Sequence, residues 1–160
     1  WDYQVDILGY KYYMIDIAAA ICLEQMKKLP ANLEFRRHVQ KRYNEELHSI
    51  FERPPHSETV QYYCPRIPEK IINPAPDGSG YSSKVTRDNL IDYLADKKIH
   101  TSVHFKPLHM YKPLLQNRHY AVADTEWLKF ISLPVHNRMV EEDIDYVIYW
   151  CNKWVEEEYL

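Results

Sequence analysis

Apolar residues recur at three- and four-residue spacing along the first part of the chain, at Met14, Ile17, Ala18, Ile21, Cys22, Met26 and Leu29. That is the period of a helix. Ile15, Ala19, Ala20 and Leu23 carry the apolar character around most of its circumference, so a helix over 14–29 is expected to be packed on most sides. Asp16 suits its positive end, and Pro30 is expected to stop it. A second helix is predicted over 32–52. There Phe35, Val39, Tyr43, Leu47 and Phe51 form one stripe, widened by Ile50 and opposed by the Arg36-Arg37 and Glu45-Glu46 face. Pro54-Pro55 closes it. The two helices are expected to form an antiparallel pair joined by a short turn.

Beyond the prolines the period shortens. Residues 60–64 (Val-Gln-Tyr-Tyr-Cys) are β-branched and aromatic, as a strand prefers. Residues 68–82 hold most of the loop-forming residues and read as a mobile excursion. Thr86 is a suitable N-cap for a helix from Arg87 to Ala95 with Leu90, Ile91 and Leu94 inward. A strand over 99–105 follows, with Val103 and Phe105 on one face and His100, Ser102 and His104 on the other. Pro107 must end or bulge that strand, which presents His104 and His109 at its exit. Residues 108–117 read as irregular or a single turn, 121–130 as helical and 131–134 as a short apolar strand. A last helix is predicted from about 140 to 157, with Ile144, Val147, Ile148, Cys151 and Trp154 inward and Glu141, Glu142 and Asp143 in its first turn. Val140 is a poor capping residue for it. The fold class is α/β, an antiparallel helix pair followed by a small α+β domain with helices over a mostly antiparallel sheet. Residues 1–53 would be the linking helices and 54–160 the small domain.

Composition narrows the function. A net charge of −3 and the lack of a basic block speak against nucleic acid, even with 14 tyrosines in the chain. No apolar run approaches the roughly 20 residues that span a bilayer, so no membrane partner is expected. The chain opens on Trp1-Asp2-Tyr3-Gln4, as a segment cut from something longer would. Cys22, Cys64 and Cys151 match no metal or redox spacing, and reduced thiols in the cytoplasm are expected. His100 and His104 share a strand face but stand about 13 Å apart along it, too far for one tetrahedral ion, so no metal site is expected.

Four segments carry a resemblance. Gly9-Tyr10-Lys11-Tyr12-Tyr13-Met14-Ile15-Asp16, opening the Ala18-Ala19-Ala20 helix, is similar to the segment after the pyridoxal lysine in the DegT/StrS family of sugar aminotransferases. Arg36-Arg37 with Tyr43 resembles that family's next helix. Asp88-Asn89-Leu90 leading into Ile99-His100-Thr101-Ser102-Val103-His104-Phe105-Lys106-Pro107-Leu108-His109 resembles its "Thr-Ser-Val-His-Tyr-x-Pro-Leu-His" stretch, and Ser132-Leu133-Pro134 with Glu141-Glu142-Asp143 its C-terminal signature.

The resemblance implies the C-terminal domain of a fold-type I, pyridoxal-phosphate-dependent homodimer. Such an enzyme aminates a keto-sugar on a nucleotide, with glutamate as the usual nitrogen donor. It also implies a missing N-terminal domain that carries the Schiff-base lysine. No catalytic residue is therefore expected in this chain, which alone should be inactive and bind no cofactor specifically. Lys11 and Tyr13 fall at the positions that reach the partner subunit's cofactor phosphate, with Tyr13 where Asn is usual and Ile15 where Thr or Ser is common. His104, Phe105 and His109 fall at the substrate mouth. Each has a plainer reading: Lys11 as an exposed loop lysine, His104 as a hydrogen-bonded structural residue. The rival for the whole chain is a non-catalytic module that dimerises through the 14–29 helix.

Overall fold

The computed structural model describes residues 7, 9–10, 12–55, 61–68, 70–74, 81–114 and 119–159. Helix α1, Asp16–Glu46, runs through Pro30 without a break. The expected pair of helices is therefore one helix. Proline removes one i→i−4 hydrogen bond and costs about 3 kcal/mol in a helix interior. Helix formers at 24–29 and 31–34 carry the helix across it.

The chain divides into two compact units, Trp1–Asn32 and Leu33–Leu160. This division falls inside α1, whereas the sequence pattern was divided between 53 and 54. In the first unit Ile17, Ile21, Leu23 and Met26 are all exposed, so the apolar helix is not packed on most sides. Within the second unit, α1 contributes its narrow stripe to the core. Val39 and Tyr43 are fully buried, and Leu47 and Phe51 continue the stripe past the helix end. The helix stops at Glu46 rather than 52 because side chains take the carbonyls around its end. Arg53 donates to the oxygens of Asn44 at 3.0 Å, Leu47 at 2.5 Å and His48 at 3.2 Å. Asn152 donates to the Glu46 oxygen at 2.8 Å.

Helix α2, Arg87–Asp96, starts where Thr86 predicts, with the Asn89 carboxamide accepting the Thr86 N–H at 2.8 Å. Helix α3, Ala121–Glu126, passes into a 3-10 turn at Trp127–Lys129. Helix α4, Glu141–Trp154, buries the five inward residues expected of it and continues as a π-helical turn over Val155–Tyr159. Val140 needs no capping side chain of its own, since Asp143 Oδ2 accepts its N–H at 3.0 Å, which is half of a capping box. Arg42 binds α1 to α4 through Glu141 at 2.8 Å and Asp145 at 2.6 Å. The core is completed by Leu90 and Leu94 of α2, by Ile131 and Leu133, and by Tyr63, whose hydroxyl burial pushes up to about 12. No helix among the described residues is long and apolar enough to cross a membrane.

The one regular ladder among the described residues is antiparallel, β1 (Lys70–Pro74) against β2 (Tyr81–Val85), with Ile72 opposite Ser83. Its strands take residues 70–74 and 81–82 of the stretch 68–82 expected to be a mobile excursion, of which 75–80 lie outside the described residues. The segments expected to be strands at 60–64, 99–105 and 131–134 meet instead at isolated antiparallel bridges, Tyr63 with Leu133, Arg66 with Phe130, and Ser102 with Ser132. The extended segment 130–133 lies between the other two. Because side chains alternate along it, Ile131 and Leu133 enter the core while Phe130 and Ser132 face the other way. That second face makes the site.

Candidate functional site

The bridge between Ser102 and Ser132 brings His104 over the polar face of 130–133. Both backbone bonds of that bridge are made, Ser102 N–H to Ser132 O at 3.2 Å and Ser132 N–H to Ser102 O at 2.8 Å. Ser132 Oγ then lies 2.6 Å from His104 Nδ1 and 3.1 Å from Cys64 Sγ. Tyr62 stacks on the His104 ring with centroids 3.9 Å apart, and Phe105 meets His104 edge-on at 4.6 Å.

His104 and Phe105 form one wall of an open cavity of about 730 Å³. Pro107, Tyr120, Trp127 and Phe130 line much of the rest, so its surface is largely aromatic. Its one carboxylate among the described residues, Glu126, is already matched. Arg66 donates to it at 2.6 Å and Lys129 at 2.6 Å. The Arg66 hydrogen bond first, then that of Lys129, overcomes the opposing effect of burial and holds the Glu126 carboxyl down at about 2. Such a cavity suits a ligand with a planar or apolar face and few charges directed at this wall.

Behind the wall lies Arg87, 4% exposed. Its Nη1 donates to the carbonyl oxygens of Phe130 at 2.9 Å and Trp127 at 3.2 Å, and its guanidinium carbon lies 5.5 Å from the Trp127 ring centroid. One buried cation thus sets the backbone positions of two cavity-lining residues.

His109 is brought to a different place. It lines an adjoining cavity of about 550 Å³ that shares Pro107, Tyr120 and Ala123 with the first. Its Nε2 lies 2.5 Å from Asp124 Oδ1, while Asp124 Oδ2 accepts the Tyr120 N–H at 3.0 Å. Partial burial works to raise the Asp124 carboxyl, but the bonds from His109 and Tyr120 outweigh it and hold the group below its ordinary range. His104 and Phe105 therefore act on one cavity and His109 on its neighbour. Tyr13 belongs to the first unit and is 79% exposed, and Lys11 lies outside the described residues. No three His, Cys, Asp or Glu side chains are grouped as a metal requires among the described residues.

Sequence reasoning missed Ser132, Tyr62, Glu126 and Trp127 as site residues. Alternation along 131–134 puts Ser132 opposite the core residues, which was the available signal. Its pairing with His104 depends on a contact between distant segments that no local pattern carries.

The family model of the DegT/DnrJ/EryC1/StrS aminotransferase family matches residues 1–151. The chain belongs to that family. Among curated relatives it is 29% identical to the UDP-4-amino-4,6-dideoxy-N-acetyl-beta-L-altrosamine transaminase of Campylobacter jejuni, across 92% of this chain and 38% of that protein. It is also 29% identical to the spore coat polysaccharide biosynthesis protein SpsC of Bacillus subtilis, with the same coverage of each. The solved structure of Spr1654 from Streptococcus pneumoniae in its PLP-form superposes with a TM-score of 0.76 at 24% identity, over 98% of this chain and 40% of that one. The chain thus spans about two fifths of the length of these relatives.

The cavity does not fit pyridoxal phosphate. The aldehyde of that cofactor needs a primary amine, and no lysine is among the described residues that line this wall. The carboxylate in the lining among the described residues, Glu126, is paired with Arg66 and Lys129 rather than free for a pyridinium. No chemical step at the cofactor is assigned to these residues.

Proposed function

We propose that this chain is the C-terminal region of a pyridoxal-phosphate-dependent aminotransferase that aminates a keto-sugar attached to a nucleotide, with glutamate as the nitrogen donor. The family match across 1–151 supports the reaction class. The Campylobacter jejuni relative, whose name is that of a UDP-linked aminosugar transaminase, supports the substrate class. The observation that carries the role of this region is the aromatic cavity walled by His104 and Phe105. The face of an aromatic ring stacks on the apolar face of a sugar or base, while the imidazole supplies a polar contact that fixes orientation.

In this reading the amine that holds the cofactor lies in an N-terminal domain, the enzyme works as a homodimer, and this region alone does not transaminate. Lys11 supplies charge, and Tyr13 a hydroxyl, toward the cofactor phosphate of the partner. His104 and Phe105 contact the substrate, and His109, held by Asp124, shapes the adjoining space. The test is to supply the whole protein with glutamate and a UDP-linked 4-keto-sugar and to measure 2-oxoglutarate. One equivalent should appear per sugar aminated, and Phe105→Ala should raise KM about tenfold, the loss of roughly 1.4 kcal/mol of contact. Failure to release 2-oxoglutarate with any nucleotide-linked keto-sugar would overturn the assignment.

A further inference from the structure

Three side chains from separate segments form a hydrogen-bonded chain that ends on the cavity wall. Cys64 Sγ lies 3.1 Å from Ser132 Oγ, which lies 2.6 Å from His104 Nδ1. Ser132 is 6% exposed, and both its backbone groups are committed to Ser102, so its hydroxyl is held in place. A hydroxyl has a single proton to donate. It goes either to the imidazole nitrogen or to the sulfur, and the whole chain must run in one direction.

The two directions are not equal. If the hydroxyl donates to sulfur, it spends its proton on a weak acceptor, and the thiol proton finds no partner among these three atoms. If it donates to Nδ1, a good acceptor takes the hydroxyl proton and the thiol donates in turn to Ser132 Oγ. In the second arrangement the hydroxyl and thiol protons both have acceptors among the three side chains, and only the ring proton is left for a group outside them. With Nδ1 accepting, the proton of the neutral ring resides on Nε2. That is the ring's other polar atom, and it makes no hydrogen bond to a described residue. Tyr62, stacked at 3.9 Å, fixes the plane of the ring.

We infer that Ser132, oriented by the Cys64 thiol, is a positioning residue that keeps the neutral His104 ring protonated on Nε2, so that the cavity offers an N–H donor to an oxygen acceptor of the substrate. The link to substrate rests on the reading of His104 given above; the tautomer itself does not. A keto oxygen, a hydroxyl oxygen or a phosphate oxygen satisfies such a donor, whereas a ligand that presents only N–H or O–H donors there does not.

Long-range proton–nitrogen correlation spectra of the histidine-labelled chain at alkaline pH read the tautomer directly. His104 is assigned by the signal lost in His104→Gln. The native chain should show a protonated Nε2 and an unprotonated Nδ1. Ser132→Ala should bring the two nitrogens toward a common, averaged position, Cys64→Ala should move them part of the way, and Cys64→Ser should restore the native pattern. A native spectrum with the proton on Nδ1 overturns the inference even if no variant folds, and so does a Ser132→Ala spectrum identical to the native one. The substrate reading fails separately, if His104→Gln leaves KM for the nucleotide sugar unchanged in the whole protein while the Nε2 tautomer is observed.

Discussion

Arg87 is buried and lines neither of the two cavities, yet the first depends on it. Its guanidinium serves two carbonyl oxygens, those of Trp127 and Phe130, whose side chains line the cavity. Hydrogen bonds to a charged group contribute about 1.5–3 kcal/mol, and removal of the donor leaves the acceptors without partners. Arg87→Met is therefore expected to lower the unfolding free energy by about 2–4 kcal/mol, read as a fall in the urea midpoint. Arg87→Lys should recover little of it, because an ammonium cannot serve both carbonyls while a second nitrogen, Nε, donates to Asp88 at 2.6 Å. An unchanged midpoint would detach Arg87 from the wall. Glu126 gives a second prediction at this scale. Its folded-state value, about 2, lies below its ordinary value of 4.5. Its pairing with Arg66 and Lys129 therefore stabilises the fold fully above about 4.5, and that contribution is lost as the pH falls toward 2. Midpoints measured across that window should fall less steeply in Glu126→Gln than in the native chain, and equal slopes would sink the pairing. Neither residue was legible as part of the site. Arg87 sat in the sequence as the first residue of a predicted helix, and its buried partners lie some forty positions on.

Elements were more legible where period and end signals agreed. Helix α4 has its five buried residues at helical spacing and three acids in its first turn, and α2 has Thr86 before it, so both were read almost to the residue. Pro30 misled because a local rule was applied without the packing that outweighs it. Burial of Val39 and Tyr43 fixes the second half of α1, and the residues before the proline are good helix formers. The hairpin of β1 and β2 was missed for a related reason. Asp77-Gly78 between Ile71-Ile72 and Val85 is a hairpin signal, but the surrounding prolines made the whole stretch read as loop. The continuous helix has a direct test. Pro30 has no N–H for the Met26 carbonyl, so Pro30→Ala restores one bond and removes a ring from the helix interior. The expected gain is about 1–3 kcal/mol, seen as a higher thermal midpoint and stronger helical circular dichroism. A lower midpoint with less helix would return the break to Pro30.

For the whole molecule, the feature that the chain's own residues leave unresolved is the first half of α1. Ile17 is 72% exposed, Leu23 63% and Met26 65%, and they do not lie on one narrow stripe. Apolar surface of that kind marks a contact with another body, and the chain spans about two fifths of its relatives' length. A second copy of the same chain is the occupant that can be tested alone. Light scattering of the 19.3 kDa chain should give twice the single-chain mass. The small patch Ala18-Ala19-Ala20 would let a neighbouring element approach most closely, so Ala19→Glu is the sharpest probe. Glutamate is nearly as good a helix former as most residues, so α1 should persist. A carboxylate pressed into an apolar contact without a partner costs several kcal/mol, and the mass should fall to that of one chain. If the native chain already has the single-chain mass, the 14–29 helix is not a self-association surface. If both proteins have the doubled mass, the dimer is held elsewhere and the 14–29 helix is not its surface.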